Sequence, residues 1–240
     1  MEPVVRSAAN LRESQVTARA GGEAGAERAS LAQAAIEPLA AAHISDVVRL
    51  HRLCYPTQFS TRLGSGVLTI LYRSYWMDPN ALGLVSVAEG RVVAAVCGVV
   101  GSGFQQRMVR RDGLALGWRL LVRVTGDPVI ALEVARRAMT VIMRRGNTAS
   151  EAHPRRFVWR SQTVDPECRG QGVIFPLIRA MLAMLRTRGV EEIYSTPDED
   201  NQAAMWVHRV LNFERRGTQV SPTGKRQPIF VLNLAGGSAS

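Results

Sequence analysis

The chain has 240 residues, 46% of them hydrophobic, and a formal net charge of +10. That length suits one core-bearing domain with an extension or an insertion, and no apolar run reaches the roughly 18 residues that a membrane-crossing helix needs. Three cysteines at unrelated spacings exclude a disulfide framework and a zinc pattern.

The positive balance favours acidic partners: a phosphorylated cofactor, a nucleotide-linked substrate, nucleic acid or an anionic membrane. No homeodomain, zinc-finger or aromatic-rich RNA-binding pattern is present, so nucleic acid is the weakest of these. With no apolar leader at the N-terminus, the expected location is cytoplasmic.

Residues 1–33 are rich in Ala, Gly, Ser, Glu and Arg, and cannot bury enough surface to offset their ordering cost; a disordered tail is expected. Ile36–Leu39 fits a short strand. His43–Cys54 carries Ile44, Val47, Val48 and Leu50 at near-helical spacing and stops at Tyr55–Pro56, because the residue before Pro avoids helical angles. His43 and His51 are expected at the surface or an edge. After a loop over Thr57–Gly64, Val67–Trp76 reads as a second helix with Leu68, Leu71, Tyr72 and Tyr75 facing the core. Leu84–Ala88 and Arg91–Val100 are Val-rich runs on either side of Glu89–Gly90, a hairpin signal. Cys97 falls inside the second run and is expected to pack as a small hydrophobe.

Residues 104–156 hold eleven arginines against four acidic residues, a balance of +7. Two amphipathic helices fit, near Leu114–Val124 and Pro128–Arg145, with Asp127 as N-cap and Pro128 at the first helical position. The open readings of this basic helical insertion are a solvated face, a lid over an acidic substrate, or a membrane-surface patch.

Phe157–Val164 is strand-like and runs into Val164-Asp-Pro-Glu-Cys-Arg-Gly-Gln-Gly-Val-Ile174, after which Leu177, Ile178, Met181, Leu182 and Leu185 repeat at helical spacing. The first amides of a helix lack internal partners, and its dipole favours negative charge there. Gly170 and Gly172 remove side chains from the approach, and Arg169 adds a positive charge. A pyrophosphate cradle and an ordinary strand-to-helix turn both fit this stretch. Cys168, in the Gly turn, is expected within reach of solvent. Glu191–Thr196 follows as a strand and Gln202–Leu211 as a helix, with Trp206 expected in the core. Phe213–Gln219 and Gln227–Leu232 can pair as a closing hairpin across Pro222–Gly224, and residues 233–240 read as a flexible end.

The 164–174 stretch and Asn201-Gln-Ala-Ala204-Met-Trp-Val-His208-Arg-Val-Leu-Asn-Phe213 together resemble two motifs of the GCN5-related N-acetyltransferases (GNAT): Q/R-x-x-G-x-G/A after a strand ending V-x-P, and N-x-x-A-x-x-x-Y-x-x-x-G-F. The resemblance covers about 36–232, with the specific part at 157–213. It implies an α/β (α+β) fold, with a mixed, mostly antiparallel central sheet flanked by helices and a helical insertion before the cofactor-binding strand. It implies a domain over 34–232 between the tails 1–33 and 233–240. It implies acetyl-CoA as co-substrate, no metal, and direct transfer of the acetyl group to a primary amine.

By the same resemblance, the main chain near Thr163 and Val164 would hold the pantetheine arm. The amides of Arg169, Gly170, Gln171, Gly172, Val173 and Ile174 would hold the pyrophosphate. Asn201 would contact the arm or cap its helix. Glu167 stands where Gln or Arg is usual, Ile174 where a small residue is usual, and Asn212 where Gly is usual. His208 takes the place of the Tyr that protonates the departing thiolate; it is either a substitute general acid, its ordinary pKa being near working pH, or structural. Asp198, Glu199 or a water chain are the candidate bases. A looser likeness around Phe59–Tyr72 points to a bacterial subgroup that modifies sugars, which would make the acceptor a small acidic or phosphorylated amine such as a nucleotide sugar. A longer acyl-CoA donor, a CoA-binding module without catalysis, peripheral membrane contact through 104–156, and a homodimer are the alternatives left open.

Overall fold

The computed structural model describes residues 34–143, 153–221 and 224–234. The expected tail over 1–33 lies outside them. A seven-stranded sheet organises the chain, in the order β1-β2-β3-β4-β5-β7-β6. Its strands are β1 (Ala35–Pro38), β2 (Ala81–Ala88), β3 (Arg91–Val100), β4 (Arg156–Val164), β5 (Glu192–Ser195), β6 (Glu214–Val220) and β7 (Arg226–Asn233). Every neighbouring pair is antiparallel except β4 and β5. This is the mixed, mostly antiparallel sheet the sequence pointed to.

The helices are α1 (Ile44–Cys54), the single turn α2 (Phe59–Arg62), α3 (Ser65–Met77), α4 (Phe104–Gly126), α5 (Pro128–Met143), α6 (Ile174–Thr187) and α7 (Gln202–Val210). One sheet face is covered by α1 and α3, through Leu50, Leu68, Tyr72 and Tyr75. The other is covered by α6 and α7; Leu177, Ile178, Met181 and Leu185 of α6 are completely buried there. Burying one such side chain is worth about 1.5–3 kcal/mol, so α6 is the firmest support of the loop that precedes it.

α4 starts ten residues earlier than its apolar pattern indicated. Its first turns carry no apolar stripe but are tethered: Arg107 makes two bonds to Asp78, at 2.7 and 3.2 Å, and Arg111 donates to Ser74 Oγ at 2.6 Å. These arginines are therefore structural. Farther along, Leu116, Leu120 and Val124 pack with Ile130 of α5 against Leu63 and Val67, a third small core outside the sheet layers. The C-terminal boundary also moves: Asn233 ends β7, and Leu234 is buried with its N–H on the Glu191 carbonyl. The rest of the expected flexible end lies outside the described residues.

Candidate active site

The site exists because the sheet opens. β4 and β5 pair only over Arg156–Val158 against Glu192–Tyr194. Beyond that point β4 carries a bulge: Cys97 and Gly98 of β3 face Ser161 and Trp159, leaving Arg160 as one residue more than the register needs. A Cβ at Gly98 would run into the Phe157 ring and the Val158 carbonyl, so only Gly fits opposite the bulge.

Past the bulge, Asp165 N–H donates to the Val93 carbonyl. By antiparallel alternation the main chain of Thr163, paired with Ala95, also bonds to β3. The N–H and C=O groups of Gln162 and Val164 point the other way, into the opening. Of Thr163 and Val164, the residues expected to hold the arm, Val164 therefore turns its main chain into the opening and Thr163 turns it inward, while Gln162 also faces the opening. The carbonyl of Gln162 accepts from the Tyr55 hydroxyl, and that of Val164 from Cys54 Sγ at 3.2 Å.

The loop after β4 is anchored by Asp165, which is buried. Its Oδ2 accepts from Arg49 at 2.9 Å and from Arg91 at 3.1 Å, and its Oδ1 from the Glu167 N–H at 3.3 Å. Burial alone would raise its pKa; the Arg49 and Glu167 hydrogen bonds and the two guanidinium charges outweigh it and hold the carboxyl below its ordinary value. Cys168 is buried rather than solvent-accessible, and helps pin the loop with Val173 and Ile174. Gly170 and Gly172 have φ of 77° and 76°, in the left-handed region, and no atom lies within 4 Å of where a Cβ would stand. The amides of Gly170, Gln171, Gly172 and Val173 have no acceptor among the described residues. Open space, free donors and the exposed Arg169 fit a pyrophosphate.

A cleft of about 540 Å³ runs from this loop along the open edge of β4 to α7. Asn201 caps α7, its Oδ1 accepting from the Ala204 N–H at 3.1 Å, and also lines the cleft. Trp206 is not core: it is 50% exposed, edge-on to Phe175, at the cleft wall. A second cleft of about 460 Å³ lies on the other side of the opening, and Tyr55, Gln162, Asn201 and Ala204 line both. The second cleft also receives Ser161, Arg160, Asp198 and His208. Asp198 is engaged by Gln227 at 2.8 Å and Lys225 at 3.4 Å, and Glu199 by Arg226 at 3.3 Å.

His208 is 3% exposed and packed between Trp159, Phe213 and Phe230. Its Nδ1 is 2.6 Å from the Ala204 carbonyl, which can only accept, so the proton sits on Nδ1. Nε2 is buried with no partner among the described residues. Burial lowers the imidazole pKa, against the raising effect of the Ala204 carbonyl. The resting form is therefore neutral, with a bare lone pair on Nε2. An imidazolium already charged at neutral pH does not fit this setting.

His51 is buried instead of lying at a surface or an edge. Nδ1 is 2.8 Å from the Tyr72 hydroxyl and Nε2 3.1 Å from Ser60 Oγ. Burial pushes its pKa down to about 4. His51, Tyr55, Cys54 and the Arg49–Asp165–Arg91 anchor carry no local sequence signal; apart from Ser60, nine residues from His51, the partners named here are 21 to 116 residues away. Among the described residues no group of three or more His, Cys, Asp or Glu could hold a metal ion, and no helix is long and apolar enough to cross a membrane.

Residues 135–213 match the family model described as Acetyltransferase (GNAT) family. Solved structures similar to the chain include the ribosomal-protein-S18-alanine N-acetyltransferase from Escherichia coli, 12% identical, TM-score 0.51, covering 86% of this chain and 98% of that one. An N-acetyltransferase from Staphylococcus aureus Mu50 is 13% identical, TM-score 0.54, covering 84% and 98%. An aminoglycoside 6'-N-acetyltransferase complexed with coenzyme A is 9% identical, TM-score 0.53, covering 83% and 97%. A search of curated proteins returns no match.

Proposed function

We propose, from the match of residues 135–213 to the GNAT acetyltransferase family model and from the fold shared with N-acetyltransferases, that the chain moves an acetyl group from acetyl-CoA to the primary amine of a small acceptor by direct attack. One observation carries the reading: the loop with free amides and the open β4 edge lie along a single cleft, and that cleft meets a second, polar one where the sheet parts. The first fits the donor. The amides of Gly170–Val173 with Arg169 hold the pyrophosphate, and the main chain of Gln162 and Val164 bonds the amide-bearing arm like an added strand. A main-chain N–H at the opening polarises the thioester carbonyl. The second cleft takes the amine. Arg160 there supports an acidic or phosphorylated acceptor, of which a nucleotide-linked amino sugar is the finer form. The domain is assigned to 34–234 with 104–156 as its helical insertion, acting in the cytoplasm.

His208 enters as neutral imidazole. Its Nε2 takes a proton from the amine as the C–N bond forms and gives it to the departing thiolate. A neutral form is needed, and the lowered pKa keeps it neutral over a wider range. The acid limb of the rate profile should therefore lie below 6.5, the ordinary imidazole value. His208→Phe should lower kcat by about 100-fold and leave CoA affinity intact, measured by thiol release and calorimetry. Equal kcat in a folded variant would assign His208 to packing alone. Saturable CoA binding with no thiol release from the wild-type protein, across a panel of amines, would favour a binding module over the transferase.

The insertion supports a second contact. α4 exposes Leu114, Trp118, Leu121 and Val122 at helical spacing, with Leu114 95% and Trp118 68% accessible, and Arg110, Arg119 and Arg123 are exposed on the same helix. An apolar stripe beside arginines suits the surface of an anionic bilayer. The protein should co-sediment with phosphatidylglycerol-containing vesicles and not with phosphatidylcholine alone. Trp118→Glu should abolish the association; its persistence would remove α4 from the contact.

A further inference from the structure

Acetyl transfer to an ammonium has a proton balance that one histidine does not close. As R–NH3+ becomes R–NH–CO, the nitrogen pair forms the C–N bond and the C–S pair leaves on sulfur. Two protons leave nitrogen. One ends on the thiol and one must reach solvent. Asp198, the carboxylate that lines the acceptor cleft, is poorly placed to take it, since it is held by Lys225 and Gln227.

Another set of groups runs from the wall of the cleft to Ser60. Ser161 and His51 line that wall, Ser161 on the β4 segment that the bulge turns towards α3. Ser161 Oγ is 2.9 Å from the Tyr72 hydroxyl, that hydroxyl is 2.8 Å from His51 Nδ1, and His51 Nε2 is 3.1 Å from Ser60 Oγ on the half-buried turn α2. Tyr72 is completely buried and His51 is 5% exposed, so four polar groups are strung through a region otherwise filled by Leu50, Leu68 and Tyr75. A Phe and a Leu would satisfy packing there without any polar atom to partner. Each member both donates and accepts, which is what passing a proton along without leaving a charge requires.

We propose that Ser161, Tyr72, His51 and Ser60 form the path by which the surplus amine proton leaves the acceptor cleft, with Ser161 taking the proton from the amine and Tyr72, His51 and Ser60 passing it on. This rests on the acetyl-transfer reading above. In the accepting state Ser161 donates to Tyr72, Tyr72 to His51 Nδ1, and His51 Nε2–H to Ser60. The amine proton moves onto Ser161 Oγ, each hydroxyl or ring nitrogen passes its own proton on, and Ser60 releases one to water. No net charge remains in the chain. The groups facing His51 are Tyr55 just past the end of its own helix, Tyr72 from α3 and Ser60 from α2, none of them charged at neutral pH. Burial alone keeps the ring neutral down to about 4, so it passes a proton at working pH without storing it.

The test measures thiol release against pH for the full-length protein with a primary-amine panel, for wild type, His51→Gln, Tyr72→Phe and Asp198→Asn. Folding is checked by circular dichroism and CoA affinity by calorimetry. The expected result is a loss of about 100-fold in kcat at pH 7 for His51→Gln and Tyr72→Phe, with the KM for acetyl-CoA unchanged. That loss should fade towards about pH 10, where the amine is already free. A readout independent of turnover is the 15N shift of His51: Ser161→Ala, which does not touch the ring, should change its tautomer balance. Wild-type kcat and pH profile in folded His51→Gln and Tyr72→Phe overturn the path, as does an alkaline shift found only in Asp198→Asn. Absence of thiol release from the wild type with every amine overturns the transferase reading itself, and the path with it.

Discussion

Gly172→Trp is expected to lower CoA affinity by at least about 100-fold while the protein stays folded. Two effects act together. The residue sits at φ 76°, where a side chain costs about 1–2 kcal/mol. The indole would also fill the space that the free amides of Gly170–Val173 face, in which no protein atom comes within 4 Å of the Cβ position. Because that space is empty of protein, the added bulk meets the ligand and not the core. Gly172→Ala separates the two: it carries the backbone strain without the obstruction and should cost about tenfold. Calorimetric titration with CoA, beside circular dichroism, measures both. Wild-type affinity in folded Gly172→Trp would place the pyrophosphate elsewhere.

Asp165→Ala should lower stability by about 2 kcal/mol and weaken CoA binding as well. Removing one partner of a buried ion pair costs about 3–5 kcal/mol; here the loss is smaller because Arg49 and Arg91 are 30% and 51% exposed and can rehydrate. Three anchors leave together: both guanidiniums and the Glu167 N–H that starts the loop. The pH dependence has a definite sign. The folded carboxyl titrates below its ordinary value of 3.8, so its stabilisation is complete above that value and disappears as pH falls through the folded pKa. The stability gap between wild type and Asp165→Ala, from denaturant titrations, should be constant near neutrality and close in strong acid. A gap that stays constant as the pH falls into strong acid would show that the anchor is not ionic.

The hairpin β2–β3 was legible because a Val-rich run on each side of Glu89–Gly90 has few other solutions. α6 was legible because its apolar residues recur at one period and the loop before it needs glycine. Asn212 standing for glycine before Phe213 was readable too, and its φ is 57°. What escaped has a common cause: it depends on partners far along the chain. The first turns of α4 look like a charged loop until Asp78 and Ser74 are seen to hold Arg107 and Arg111. His51 sits beside Arg52 in sequence and looks like a surface residue, yet the turn of α1 points it at Tyr72. Trp206 looks like core by its size, and is left at a cleft wall because its face of α7 has no sheet beneath it. The main chain that faces the opening differs from the expected one by a position, Gln162 instead of Thr163, since a bulge has no sequence mark strong enough to be counted before the register is known.

That extra residue in β4 is the one with no place in the ladder. Cys97 and Gly98 are neighbours on β3 and face Ser161 and Trp159, so deleting Arg160 would let Trp159 and Ser161 follow one another in a regular strand. Ser161 would stay on the Tyr72 side and the main chain of Gln162 and Val164 would still face the opening. What would go is the bend and added twist that a bulge gives its strand. A one-residue deletion at position 160 would thus straighten β4 where the two clefts meet and leave every other side chain on its own face, where a substitution at the same position keeps the bend and changes only a side chain.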